Sequence, residues 1–285
     1  MVEFLQRYPE YDGRGLLIAI IDGAIDVSLD GLQKTSTGLP KVIDCFDFSG
    51  AGDVDTSLIK KTGTDETNLE LLSGKKIIIP QNWKNPSNEW HIGIKFWKEI
   101  NSQKLADINE STDEKREEEQ SSEEENKAET IKPKEEEIFE KINFFDALPK
   151  NDIVDCIVWN DGKIWCTCIV PAASAAENIE NVKVLTNFRD KHEYCFIFDN
   201  ISCCATIKNE GNLLELFIPL SGHGSYVSQV AAAHYPSQPE KDGLAPGAQI
   251  ISMNVMNECN NNENIKEKAI EKAVKNLHCL TSKTM

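Results

Sequence analysis

No stretch of this 285-residue chain is apolar over anything like the roughly 18 residues a membrane-spanning helix needs, so a helical membrane protein is excluded. The first residues, Met1 to Tyr11, carry Glu3, Arg7 and Glu10 and lack the apolar centre of an export signal. There are nine cysteines, an odd number, but no Cys-x-x-Cys pair of the zinc-binding type. The nearest approaches are Cys166-Thr167-Cys168 and Cys203-Cys204, and no spacing argument makes a metal site of them. No metal is therefore expected, and reduced thiols in a cytoplasmic protein are. Gly13-Arg14-Gly15 and Gly50-Ala51-Gly52 lack the strand, Gly-x-Gly-x-x-Gly and helix context of a dinucleotide site, so a nucleotide-binding domain is disfavoured. Basic residues do not balance the acidic ones, 30 Lys and Arg standing against 47 Asp and Glu. A net charge of -17 repels phosphate backbones, so nucleic acid is not an expected partner, and neither is a membrane.

The excess charge is concentrated. Between Glu110 and Glu140 stand 14 acidic against 5 basic side chains, nine of the seventeen excess negative charges. From about 101 to 141 the chain is Glu, Lys, Ser and Gln with hardly any apolar residue. Such a segment cannot bury enough surface to offset the entropy of ordering and is expected to be a disordered linker.

On either side of it the patterns are those of a folded protein. Leu16 to Ile21 is a continuous apolar run ending at Asp22, which suits a strand buried on both faces. Val42 to Phe48 and Gln249 to Val255 read as further strands, and Lys75 to Pro80 as an edge strand. Tyr226 to Ala233 is rich in helix formers. Ile265, Ala269, Ala273 and Leu277 recur at helical spacing, with Asn261 or Asn262 as the N-cap. Between these ends the period changes. Apolar runs flank Asn160-Asp161-Gly162 and again Asn209-Glu210-Gly211-Asn212, the pattern of two hairpins in a small antiparallel sheet. Strand and helix alternating at both ends indicate an α/β layer fold.

Two residues stand where chemistry can be placed. Asp22 closes an apolar strand and is followed by Gly23, and in parallel sheets reactive groups gather at the carboxyl ends of strands. His223 lies between Gly222 and Gly224 at the start of the Ala-rich helix, where one ring nitrogen can meet a carboxylate and the other a substrate. Taken singly, each has an ordinary structural role open to it. His91, His192, His234 and His278 suggest nothing further.

Together the two segments resemble the Asp and His boxes of the subtilisin-like serine peptidases. Asp22-Gly23-Ala24-Ile25-Asp26 stands for that family's Asp-[Ser/Thr]-Gly, and His223-Gly224-Ser225-Tyr226-Val227-Ser228 for its His-Gly-Thr-His-Val-Ala. Gly243-Leu244-Ala245-Pro246-Gly247-Ala248 is similar to the Gly-[Val/Ile]-Ala-Pro-x-Ala turn that follows. The roughly 200 residues between Asp22 and His223 resemble the insertion of the tripeptidyl-peptidase II group. So do Tyr11-Asp12-Gly13-Arg14-Gly15, Asp155 to Gly162, and Gly211-Asn212-Leu213-Leu214.

The resemblance implies a subtilisin-like parallel sheet flanked by helices, incomplete here, with an inserted small antiparallel β subdomain and a disordered acidic segment. The expected division is 1–100 for the first part of the α/β domain, 101–141 for the acidic linker, 142–220 for the β-hairpin insertion, and 221–285 for the His box and second part. It further implies a cytoplasmic exopeptidase that releases tripeptides from free N-termini of oligopeptides, assembles into homo-oligomers at full length and needs no cofactor. Asp22 and His223 would be its catalytic pair, Asp22 orienting and electrostatically supporting His223, and His223 deprotonating the nucleophile and then protonating the leaving amine. Three departures stand beside this. Gly23-Ala24 replaces the usual pair after the Asp, Ser225-Tyr226 replaces Thr-His, and no Gly-Thr-Ser nucleophile box occurs in these residues, Ser221 and Ser225 not lying on such a turn. The chain is therefore expected to be inactive alone, a front portion ending before the Ser. The alternative is a degenerate homologue serving as a binding or assembly partner. Glu258 and Glu263 fall where members of the group hold the substrate amino terminus, without a firm alignment.

Overall fold

The computed structural model describes residues 2–63, 68–96, 153–171, 179–197, 201–257 and 262–282. The expected acidic linker, 101–141, and the start of the 142–220 segment lie outside them. A short helix, α1 (Val2–Arg7), leads to β1 (Leu17–Asp22). β1, β2 (Val42–Asp47) and the much later β14 (Gln249–Asn254) form a three-stranded parallel sheet, with β14 in the middle. The apolar run of β1 is continuous because both of its faces are covered. Ile18 and Ile20 turn to one core with Ile250, Val42 and helix α3 (His223–Ala232). Ala19 and Ile21 turn to the other with Ile251, Met253 and helix α4 (Glu263–Ser282). On α4 the small residues Ala269 and Ala273 are buried, which brings the helix close to the sheet, and Asn262 caps it by accepting the Asn264 N–H at 2.9 Å.

The expected parallel sheet with helices on both faces is present, but the alternation at the front end is not. Between β1 and β2 there is only a single 3-10 turn, Asp30–Leu32, in a loop of Gly, Ser, Thr and Pro that carries no helical period.

The two expected hairpins both form. β8 (Ile153–Asn160) returns as β9 (Trp165–Pro171), and β12 (Ile201–Lys208) as β13 (Leu213–Phe217). In the first turn the Asp161 carboxylate accepts the N–H groups of Lys163 and Ile164, both at 2.8 Å. In the second, Gly211 at φ +83° packs under the Trp165 ring, where a β-carbon would come within 2.4 Å.

They do not share one small sheet, as expected, but join two. β8 and β9 belong to a five-stranded sheet with β4 (Leu58–Lys61), β7 (Glu89–Phe96) and β10 (Val184–Leu185). β12 and β13 belong to a four-stranded sheet with β3 (Asp53–Asp55) and β11 (Cys195–Ile197). The antiparallel part thus draws on strands from 53–96 as well as on the later segment. Its two sheets face each other through Val154, Cys156 and Val158 on one side and Cys203, Ala205 and Leu214 on the other. The outer face of β8, with Ile157 and Trp159, is covered by Trp90 and by Leu69 and Ile77 of the small β5 (Asn68–Glu70) and β6 (Lys76–Ile78) ribbon, the latter being the expected edge strand.

The β12–β13 sheet joins the two halves of the molecule. Cys203 faces the antiparallel core, while its neighbour Cys204 turns the other way, into the core that holds Ile20, Cys45 and Phe188 of the short helix α2 (Phe188–Lys191). That alternation is also why Cys166, Cys168, Cys203 and Cys204 cannot form one metal site: they are distributed over three cores. Among the described residues no group of His, Cys, Asp or Glu is arranged to hold a metal, and no helix is long and apolar enough to cross a membrane.

Candidate active site

β1 delivers Asp22 to the carboxyl end of the sheet, and the first residue of α3, His223, meets it there. Nδ1 of His223 lies 2.8 Å from each carboxylate oxygen of Asp22, although 201 residues separate the two in the chain. The carboxylate is 15% exposed and the imidazole 68%, so the acid is held in the protein while the ring reaches toward solvent. Asp22 also accepts the Gly23 N–H at 2.6 Å, and its backbone carbonyl takes the N–H of Val255 just beyond β14. A carboxylate on Nδ1 fixes that nitrogen as the protonated one and leaves Nε2 as the ring's base.

Close backbone approach makes the pairing possible. A β-carbon on Gly224 would fall 2.1 Å from the Gly23 carbonyl oxygen, so only glycine lets the first turn of α3 pack against the loop after Asp22. Asp26, at the end of that loop, donates its backbone N–H to Ser225 Oγ at 2.8 Å. Its carboxylate takes the Ser28 hydroxyl at 2.6 Å and the Ser202 hydroxyl of β12 at 2.7 Å. Ser221 is also engaged, accepting the N–H of His223 at 3.3 Å. Both serines beside the histidine are thus structural acceptors.

A small pocket, with room for about one water, lies beside Gly23 and Ser221, the chain neighbours of the pair, and is lined further by Leu216, Ile218, Leu220, Asp47, Asn254 and Met256. The Asp47 carboxylate in its lining accepts Asn254 Nδ2 at 3.0 Å and the Gly52 N–H at 2.9 Å. The Asp47 N–H in turn donates to Glu215 Oε1 at 3.2 Å. Burial pushes the Glu215 carboxyl up to about 7, against the opposing pull of the Lys208 ammonium beside it.

Farther away, Lys41 is fully buried and donates to the carbonyls of Pro246 and Ala248 at 2.7 and 2.8 Å, fastening the Ala245-Pro246-Gly247 turn beneath the sheet. Burial lowers its ammonium to about 8. Of the other histidines, His91 faces the Thr56 carbonyl and His234 pairs with Asp242, both remote from this pocket. Glu263 is the first residue of α4, and Glu258 lies outside the described residues. Asp26, Asp47, Ser202, Glu215 and Asn254 were not singled out by sequence; only Asp26, inside the Asp box, carried any signal.

An aspartate at a strand end and a histidine opening an Ala-rich helix, joined at the rim of a parallel sheet, are the arrangement of one peptidase class. The profile of the Subtilase family, Peptidase S8, matches residues 13–280, and the chain belongs to that family. The curated relatives it matches carry the name tripeptidyl-peptidase 2. That of Caenorhabditis elegans is 35% identical over 276 residues, and that of Arabidopsis thaliana 34% over 281, each alignment covering 88% of this chain and 20% of the relative. The one from Drosophila melanogaster is 28% identical over 287 residues. Among solved structures, the crystal structure of tripeptidyl peptidase 2 superposes with a TM-score of 0.61 at 25% identity, over 90% of this chain and 21% of that one. The fold is therefore subtilisin-like, and the chain spans about one fifth of the length of its relatives.

Proposed function

We propose that this chain supplies the acid and base of a serine exopeptidase that releases tripeptides from the free N-termini of oligopeptides. The observation that carries the reading is the Asp22 carboxylate on Nδ1 of His223, at the carboxyl end of a parallel sheet, with the imidazole 68% exposed to solvent. His223 Nε2 takes the proton from a serine hydroxyl as that oxygen attacks the peptide carbonyl, then returns it to the leaving amine. Asp22 holds the ring in the competent tautomer and stabilises the imidazolium between those steps. The nucleophile comes from outside these 285 residues, which contain no Gly-Thr-Ser box. On the same reading the protein works in the cytoplasm and assembles into homo-oligomers at full length.

A second reading is favoured by Gly23-Ala24 and Tyr226, which depart from the family's boxes: a degenerate homologue acting as a binding or assembly partner. A chimera separates the two. The matching fifth of the C. elegans relative is replaced by this chain, and a fluorogenic tripeptide substrate is supplied. The expected result is turnover that falls by at least about a thousandfold in His223→Ala, with none from the 285-residue chain alone. A folded chimera that is inert, or one indifferent to His223→Ala, would overturn the peptidase reading. Turnover by the isolated chain that His223→Ala abolishes would refute the outside origin of the nucleophile.

A further inference from the structure

The pairing of Asp22 with His223 needs more than the two residues themselves, because the segments that carry them are joined only by contacts made in space. The loop after Asp22 and the first turn of α3 touch through backbone at Gly23 and Gly224, a contact that sets how near they come but not their register. Direction comes from Asp26. Its N–H donates to Ser225 Oγ, two residues along α3 from His223, across a sequence separation of 199. Its carboxylate accepts the N–H and hydroxyl of Ser28, which keeps the loop in a tight turn, and the hydroxyl of Ser202 from the antiparallel insertion. Ser225 is 6% and Ser202 1% exposed, so water does not readily replace either bond. Three segments that share no local sequence therefore converge on one residue four positions from the acid.

We propose that Asp26 is a positioning residue for the Asp22–His223 pair, acting through Ser225 on the helix and through Ser202 on the insertion. In consequence the inserted β12–β13 sheet is part of the scaffold that sets the geometry of the pair. This deepens the peptidase reading and rests on it for its catalytic meaning, but the geometry can be tested without turnover. A hydroxyl at 225 fixes the helix turn against the loop, and a hydroxyl at 202 keeps the Asp26 carboxylate from rotating away. Neither serine touches a reacting atom.

The test is proton NMR of the full 285-residue chain with 15N-labelled histidine, following the far-downfield Nδ1–H resonance that a histidine bonded to a carboxylate gives. Asp22→Asn identifies the signal by removing it. The expected result is that Ser225→Ala and Asp26→Ala lose or broaden the resonance while keeping the far-UV spectrum and a cooperative melt, and that Ser225→Thr, which retains the acceptor oxygen, restores it. A purely structural role would lower the melting temperature without touching the signal. Ser225→Ala and Asp26→Ala proteins that fold and keep the wild-type resonance overturn the inference, as does a Ser225→Thr protein no better than Ser225→Ala. Should those variants not fold, Ser202→Ala decides: a broadened signal supports the proposal and an unchanged one overturns it. A well-formed pair in an inert chimera sinks the peptidase reading alone. An active chimera indifferent to Ser225→Ala and Asp26→Ala, with the resonance unchanged, sinks this inference alone.

Discussion

The parallel and antiparallel halves of this molecule are held together by different means. In the antiparallel half the strands come mostly from neighbouring hairpins, and the space between the sheets is filled by Val154, Val158, Ala205, Leu214 and Leu216, whose side chains offer no directional bond. The buried polar bonds there are fewer, chiefly Thr56 to Gly211 and Ser73 to Asp155. In the parallel half the strands are drawn from opposite ends of the chain. There, buried polar groups reach across some 200 residues: Lys41 to Pro246 and Ala248, Asn254 to Asp47, Asp26 to Ser225. Apolar packing supplies most of the free energy in both, but it tolerates small displacements. A proton-transfer pair does not, and it sits in the half where hydrogen bonds fix the register.

That contrast can be broken by substitution. Leu214→Ala, at a fully buried position of the antiparallel core, should cost about 2–5 kcal/mol in denaturant unfolding and leave the His223 Nδ1–H resonance unmoved. Loss of the resonance at unchanged stability would reverse the assignment of roles.

Glu215 sits on the boundary, binding the backbone of Asp47 while buried on β13, with 4% of its side chain exposed. Its carboxyl is raised from 4.5 to about 7, and that of Asp155 from 3.8 to about 6, both chiefly by burial. In each case the folded protein holds the proton more tightly than the unfolded chain. The associated stability is complete below the ordinary carboxylate range and is lost as pH rises through the raised values. Unfolding free energy should thus fall between about pH 4.5 and 7, and Glu215→Gln should flatten that fall by about 2–3 kcal/mol, read from denaturation midpoints against pH. A variant with the wild-type slope would show that this carboxyl ionises freely.

Gly224→Ala should cost less, about 1–3 kcal/mol, yet abolish the resonance, since the new methyl meets the Gly23 carbonyl. Gly222→Ala, where a β-carbon meets nothing within 4 Å, should change the stability by under about 0.5 kcal/mol and is the matched control.

Much of this architecture was legible because burial leaves a period. The run ending at Asp22, the strand at 249–255, the spacing of Ile265, Ala269, Ala273 and Leu277, and both hairpins follow from residue pattern alone. β7 was overlooked although Trp90, Ile92, Ile94 and Phe96 alternate, because the Gly, Lys and His between them line a second buried face instead of water. β3 and β4 have three and four residues, too few to set a period, so the division into two sheets depends on pairing partners that no local pattern encodes. At the site, motif likeness singled out Asp22 and His223, and the structure brings them together. Asp26 and Ser225 fall inside the two boxes, but their contact and the part played by Ser202 are not legible, since a hydrogen bond spanning 199 residues leaves no spacing behind it.

The position of β14 between β1 and β2 governs the order in which this chain can fold. The first fifty residues contain two strands that make no ladder with each other, only an empty slot one strand wide. The strand that fills it lies two hundred residues downstream, so the ladders of β1 and β2 can be made only once that segment is present. Closure across so long a loop is slow, and the hairpins, with their short separations, have every opportunity to form first. Entry of β14 into the slot joins β1 to β2, and the helix that precedes β14 in the chain is the one that carries His223 to Asp22.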